Sequence, residues 1–230
     1  MKDLTADRMG YRKILMETLD EVFETEYPEK EMKDAVESKL FGIGSESFVV
    51  GSHEFYLGYA ITRNKMLCLD MGHFHPTESV ADKISSVLLY LPELLLHVSR
   101  PVRWDSDHIV TLNDDVKTLF QELVRSKRLK DVYIGLDFFD GTLNRIGAYA
   151  VGARASLKAL MQAMLEPHRQ LVKYEKDGDY FARLALLEEM KTKPFGAVWD
   201  YYCSTMNVPL EHEIIPVVHE YEHSVLNERS

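Results

Sequence analysis

Cross-linking sulfur is scarce: the 230 residues hold two cysteines, Cys68 and Cys203. They lie far apart and each sits among apolar neighbours, which suits reduced thiols in a cytoplasm and excludes a disulfide framework. Long apolar runs are missing too. The most apolar stretch, Val87 to Val98, is broken by Pro92 and Glu93 and is too short to span a bilayer. Met1 to Asp7 has no apolar signal core. The expectation is a soluble, cytoplasmic protein. Positive charge is also short, with 27 Lys+Arg against 37 Asp+Glu and a net charge of −10. That deficit, with no basic stripe, argues against nucleic acid and anionic membrane as partners. Phe41-Gly42-Ile43-Gly44-Ser45 lacks the further Gly and the Lys of a phosphate loop, so glycines easing a strand-to-loop exit are the simpler reading. There is no internal repeat and no low-complexity tract.

What is present is the balance of a globular protein, 46% apolar and 28% charged, with length enough for a real core. Thr5 to Tyr27 has helical spacing, with Tyr11, Ile14, Leu15, Leu19, Val22 and Phe23 at steps of three and four before Pro28. Four short apolar stretches follow, at 35–41, 66–70, 94–98 and 132–137, separated by helical patterns near 54–62, 79–90 and 114–129. Such alternation predicts parallel strands with crossover helices, covered on both faces. After Asp140 only helical patterns appear, at 145–165, 179–191, 195–206 and 211–227, with Pro216 unsettling the start of the last. The chain reads as α/β, residues 1–142, followed by a helical extension, residues 143–230.

Polar residues gather at or just beyond the C-terminal ends of the expected strands. Glu37 and Lys39 share a face if extended. Asp70 ends the second strand, and His73 follows in Gly72-His73-Phe74-His75-Pro76. His97 lies in the third strand, with Arg103-Trp104-Asp105-Ser106-Asp107-His108 in the loop beyond, and Asp137 closes the fourth. Parallel strands put these ends on one rim, where α/β proteins build their sites. Carboxylates crowded there would repel one another and lose solvation unless a cation sat among them. Carboxylates and imidazoles without thiolate suit a hard or borderline ion such as Mn²⁺, Mg²⁺ or Co²⁺. Seven candidates (Glu37, Asp70, His73, His97, Asp105, Asp107, Asp137) exceed one ion's needs, and two neighbouring ions are the simplest reading.

Each residue alone has a plainer account. A strand-end Asp forms turns or caps helices, His97 between Leu96 and Val98 could be a satisfied core histidine, and Lys39 with Glu37 a surface ion pair. Asp105-Ser106-Asp107 could be a solvated turn, Cys68 a small buried hydrophobe, and His53, His75 and His108 either structural or close to a ligand shell. Convergence of four strands on one rim favours the metal reading.

The motifs Val36-Glu37-Ser38-Lys39-Leu40-Phe41-Gly42-Ile43-Gly44, Cys68-Leu69-Asp70-Met71-Gly72-His73-Phe74-His75-Pro76-Thr77, Leu95-Leu96-His97-Val98-Ser99-Arg100-Pro101-Val102-Arg103-Trp104-Asp105-Ser106-Asp107-His108 and Gly135-Leu136-Asp137-Phe138-Phe139-Asp140 closely resemble the L-rhamnose isomerase family. The likeness extends to Ala182-Arg183-Leu184-Ala185-Leu186-Leu187-Glu188-Glu189 in the tail. It implies a TIM (β/α)₈-type barrel with a helical C-terminal extension, usually a homotetramer, and interconversion of L-rhamnose and L-rhamnulose with two divalent ions, typically Mn²⁺. Glu37, Asp70, His97 and Asp137 then correspond to ligands of a substrate-anchoring ion. His73, Asp105 and Asp107 correspond to ligands of a second ion, with Asp70 bridging, and Lys39 to the group that hydrogen-bonds the sugar's carbonyl end. A two-metal hydride shift is the expected reaction, with Lys39, Asp70, His73, Asp105 and Asp107 in the catalytic set.

Such a barrel has eight strands, whereas about four βα units are visible. The expectation is a partial barrel, its second half plus tail, with open edges near 35–41 and 132–137, inactive unless a complementary half-barrel chain joins it. Competing readings are another two-metal sugar isomerase of the same barrel type and a non-catalytic metal-binding or assembly remnant. A metal-dependent endonuclease is disfavoured by the charge.

Overall fold

The computed structural model describes residues 5–39, 49–102 and 106–229. The chain forms two compact units, Met1–His108 with Ser126–Phe139, and Ile109–Arg125 with Asp140–Ser230. The first contains helices α1 (Arg8–Val22), α2 (His53–Arg63) and α3 (Ala81–Leu88) and strands β1 (Ala35–Glu37), β2 (Met66–Asp70), β3 (Leu94–Val98), β4 (Arg100–Pro101), β5 (Asp107–His108) and β6 (Val132–Leu136).

Four of these strands form one parallel sheet in the order β1-β2-β3-β6, which leaves β1 and β6 outermost among the described residues. The register sets Glu37 beside Cys68, Asp70 beside His97, and His97 beside Gly135. Residues paired in a parallel ladder point to the same face, so the alternation along each strand sorts the side chains. One face carries Leu67, Leu69, Leu94, Leu96 and Val98, all fully buried, each contributing about 1.5–3 kcal/mol of gross hydrophobic stabilisation. The other carries Glu37, Cys68, Asp70, Leu95, His97 and Gly135, and there Leu95 and His97 stay partly exposed. This departs from the even burial expected of a parallel sheet: β3 alternates between buried and half-buried, because one face is the core and the other holds polar groups.

Local chemistry fixes the helix ends. Asp7 caps α1 by accepting from the Gly10 N–H, Ser52 caps α2 by accepting from Phe55, and Asn64 ends α2 in the left-handed region at φ 53°. Helix α2 packs on β1 and β2, and Asp20 ties α1 to it by accepting from Tyr59 at 2.9 Å and Arg63 at 3.1 Å. Helix α1 has the expected apolar spacing, yet none of its residues is buried and Ile14 and Val22 lie open. Asp107 and His108, expected within a loop, pair antiparallel with the chain just after β3, Arg100 opposite His108 and Pro101 opposite Asp107.

The second unit is helical: α4 (Asp114–Arg125), α5 (Arg145–Met164), α6 (His168–Lys176), α7 (Tyr180–Met190), α8 (Phe195–Thr205) and α9 (Ile214–Tyr221). Helices α4 and α5 pack along each other. Ala148, Gly152, Ala155, Ser156, Ala159 and Ala163 are buried along α5, at helical spacing that permits close approach. The expected helix at 114–129 stops at Arg125, where Lys127 turns to φ 59°. Helix α6 had no counterpart in the sequence reading, since Leu171 is its one buried residue. Pro216 is tolerated as the third residue of α9, where its missing N–H would have no intrahelical partner.

Candidate metal centre

The ends of four parallel strands deliver the candidate residues to one place in the first unit. Glu37 is the last residue of β1, Asp70 the last of β2, His97 the penultimate of β3, and Asp137 follows β6 directly. The Asp137 N–H donates to the Val98 carbonyl at 3.1 Å, which extends the ladder one step and fixes that aspartate. After β2 the chain turns back on Asp70, whose Oδ1 accepts from the Gly72 N–H at 2.6 Å while its carbonyl accepts from the His73 N–H at 3.3 Å. This returns His73 over the strand end.

The resulting cluster is tight. His97 Nδ1 lies 3.0 Å from Glu37 Oε1, 3.4 Å from Asp70 Oδ2 and 3.3 Å from Asp137 Oδ2. His73 Nδ1 is 3.5 Å from Glu37 Oε1, and its Nε2 is 3.9 Å from Asp70 Oδ2. Glu37 with Asp70 and His73, and Asp70 with His97 and Asp137, each place one ligand atom per residue within 4.8 Å of the others. Exposure grades from Asp70, 1% exposed, to Asp137, 54% exposed, so the cluster is closed below and open above.

Burial pushes the Asp70 carboxyl up to about 6. His73 and the Gly72 N–H pull the other way, while Glu37 and Asp107 add to the rise. Asp70 Oδ2 is buried and accepts no hydrogen bond among the described residues. A buried carboxylate oxygen with no donor costs free energy, and a cation seated among these groups would relieve it. The donor set of carboxylates and imidazoles fits a hard or borderline divalent ion, so the residues present suit the metal that the sequence reading expects.

The remaining candidates divide. Asp107 lies in β5, near enough for its charge to act on Asp70, and its carbonyl accepts from the Phe139 N–H at 3.1 Å. Lys39 is half-buried, two residues beyond the end of β1. Asp105 falls outside the described residues. His75 is exposed and its Nδ1 is 2.7 Å from Thr77 Oγ1. His53 meets Phe74 edge-on at 5.2 Å, and Lys83 lies 4.5 Å from the same ring centroid, so the loop carrying His73 is wedged at its neighbour.

Two further residues shape the cluster: Gly135, and Cys68, which is buried as expected of a small hydrophobe. Gly135 faces His97 with no side chain, and a glycine inside a strand is a signal of close approach that sequence does offer. Cys68 donates its S–H to Glu37 Oε1 at 3.4 Å. Its position two residues before Asp70, on the same strand face, was the available sign. At the opposite, N-terminal ends of the strands lies a polar cleft of about 480 Å³ lined by Lys33, Asp34, Lys65 and Glu93 among others. Its cations are engaged: Lys33 with Glu93, Lys65 with Asp34 at 2.8 Å, and Arg63 with Asp20 at 3.1 Å.

No helix among the described residues is long and apolar enough to cross a membrane. A sequence profile of the L-rhamnose isomerase (RhaA) family matches residues 1–229. The chain is 58% identical over 229 residues to the L-rhamnose isomerase of Rhodopirellula baltica, covering 100% of this chain and 54% of that protein. It is 56% identical over 228 residues to the L-rhamnose isomerase of Bacteroides thetaiotaomicron, covering 99% of this chain and 54% of that protein. For the L-rhamnose isomerase of Salmonella newport the figures are 54% over 230 residues, 100% and 55%. The chain thus spans about half the length of the curated relatives it matches. With the profile running along almost every residue, the chain belongs to the L-rhamnose isomerase family.

Proposed function

We propose that this chain supplies the metal-binding half of an L-rhamnose isomerase, a cytoplasmic enzyme that interconverts L-rhamnose and L-rhamnulose. The observation that carries the proposal is the meeting of Glu37, Asp70, His73, His97 and Asp137 at one strand rim, in a chain matched by that family from end to end. Glu37, Asp70, His97 and Asp137 would hold a first ion, and His73, Asp105 and Asp107 a second, with Asp70 shared. Mn²⁺ is the ion proposed, with Mg²⁺ or Co²⁺ as substitutes. Bound there, such ions supply Lewis acidity to the oxygens of an open-chain sugar.

The chain's own groups have definable tasks. Asp70, the most buried carboxylate, fixes the depth of the centre, and the Gly72 N–H sets its orientation. Lys39 offers an ammonium to the carbonyl end of the sugar, where negative charge develops. In the reaction the C2 hydroxyl loses its proton, the C2 hydrogen passes with its electron pair to C1, and the C1 oxygen takes up a proton. The aldose carbonyl thereby moves from C1 to C2.

In this proposal residues 1–142 form half of a (β/α)₈ barrel and residues 143–230 its helical extension. The outer strands would pair with a complementary half-barrel, within a tetramer in the intact enzyme. Exposed Tyr133 and Ile134 on β6, and the uncovered face of α1, support such a partner. The test is to assay L-rhamnose isomerisation by the purified 230-residue chain with Mn²⁺, alone and mixed with a polypeptide covering the first half of a relative. Bound Mn²⁺ is followed by paramagnetic resonance. Mn²⁺ binding by the chain alone, with turnover only in the mixture, is expected. Failure to bind Mn²⁺ overturns the metal centre, and full turnover by the chain alone overturns the need for a second half.

A further inference from the structure

Cys68 stands on the same sheet face as the proposed ligands, and the hard-ion reading leaves its sulfur without a chemical role. Its Sγ is 3.4 Å from Glu37 Oε1, and the same oxygen is 3.0 Å from His97 Nδ1. Glu37, Cys68 and His97 together offer one ligand atom each within 4.8 Å. Around a tetrahedral Zn²⁺, with bonds of about 2.0–2.3 Å, ligand atoms sit about 3.3–3.5 Å apart. The Cys68–Glu37 spacing of 3.4 Å lies in that range, and the His97–Glu37 spacing of 3.0 Å would open by a few tenths of an ångström on binding. Asp70, with a side chain 1% exposed, has its Oδ2 3.4 Å from His97 Nδ1, and that oxygen accepts no hydrogen bond among the described residues.

We propose that Glu37, Cys68 and His97 form a second, thiolate-containing binding mode for thiophilic divalent cations such as Zn²⁺ or Cd²⁺, displaced toward β2 from the hard-ion position. One thiolate, one imidazole and one carboxylate form a ligand set that soft and borderline ions take in preference to Mn²⁺ or Mg²⁺. In the metal-free chain the thiol keeps its proton as a donor to Glu37. Binding forms a metal–sulfur bond, breaks the S–H bond and releases that proton to solvent. Because Glu37 and His97 cannot serve both positions, a thiophilic ion excludes the ion of the proposed centre. That competition rests on the function proposed above, whereas the sulfur ligation does not.

The 230-residue chain is titrated with cadmium chloride while the ultraviolet thiolate-to-cadmium charge-transfer band is recorded. The band is expected in the unaltered chain and in Cys203→Ser, and is expected to be lost in Cys68→Ser and weakened in Glu37→Gln. A band that survives Cys68→Ser, or disappears in Cys203→Ser, overturns the proposal. X-ray absorption of the Zn²⁺-loaded unaltered chain does not depend on any variant folding. One sulfur at about 2.3 Å with lighter nitrogen and oxygen neighbours is expected, and a shell without sulfur overturns it. Preloading with Cd²⁺ should also lower the number of Mn²⁺ ions bound. If Mn²⁺ never binds, the proposed enzyme centre fails while the sulfur signature still stands on its own.

Discussion

Gly135 stands directly across from His97 in the ladder between β3 and β6, and a Cβ placed on it would lie 3.4 Å from His97 Cδ2. That is ordinary contact distance, so the imidazole has room for a methyl neighbour but for nothing branched. Gly135→Ala is expected to bind Mn²⁺ within a few-fold of the unaltered chain. Gly135→Val forces the ring away from Glu37 and Asp70 and should weaken binding about 10–100-fold. Calorimetric titration of the two variants side by side decides the matter; equal affinities would remove Gly135 from the design of the centre.

In the proposed centre Asp70 would couple ion binding to stability. Its carboxyl is raised to about 6 by burial, so the metal-free fold favours the protonated form. The stability it contributes is complete below an ordinary carboxylate pKa and is lost as pH rises through about 6. The loss is about 1–3 kcal/mol. Without metal, Asp70→Asn should therefore melt higher than the unaltered chain at pH 8 and equally at pH 4. With saturating Mn²⁺ the order at pH 8 should reverse, because the variant no longer holds the ion. Thermal unfolding with chelator and with Mn²⁺ at both pH values tests each half.

Phe74 holds the loop that carries His73. It is buried, with His53 at its edge and the Lys83 ammonium over its face. Phe74→Ala removes both contacts and should cost about 3 kcal/mol in urea unfolding. Mn²⁺ affinity should fall as well, because His73 loses its brace. Phe74→Leu, which keeps most of the volume, should recover most of the stability and less of the affinity.

In the second unit, Arg125 at the end of α4 grips Glu166 with two parallel bonds, Nε to Oε1 at 2.7 Å and Nη2 to Oε2 at 2.6 Å. The Glu166 side chain is 4% exposed and that of Arg125 is 32% exposed. Glu166→Ala leaves the guanidinium partly buried without its partner and should destabilise by about 1–3 kcal/mol. Replacing both, as Arg125→Met with Glu166→Ala, should cost less than the sum of the single changes. A double-mutant cycle in denaturant measures the difference.

The legible part of this chain was the part governed by short-range pattern. Apolar runs of about five residues bounded by turn residues located β2, β3 and β6 within a residue, and strand-end Asp70, His97 and Asp137 marked the rim they share. Elements without a pattern were missed. The two-residue strands β4 and β5 are too short to show a period, and α6 buries only Leu171. Pro216 reads as a breaker until its place in the first turn of α9 is known. The side chains that tune the cluster were hidden for another reason: the Cys68 bond to Glu37 and the space at Gly135 depend on cross-strand register, which a linear string of residues does not display.

The groups around Asp70 are separated by up to a hundred positions along the polypeptide, from Glu37 to Asp137. None of the four strands can capture a cation unaided. The full ligand set of the proposed centre therefore exists only when all four strands are paired in register. An ion held in the proposed centre would tie all four strands together, and a chain with one strand mispaired would lack the full set of ligands.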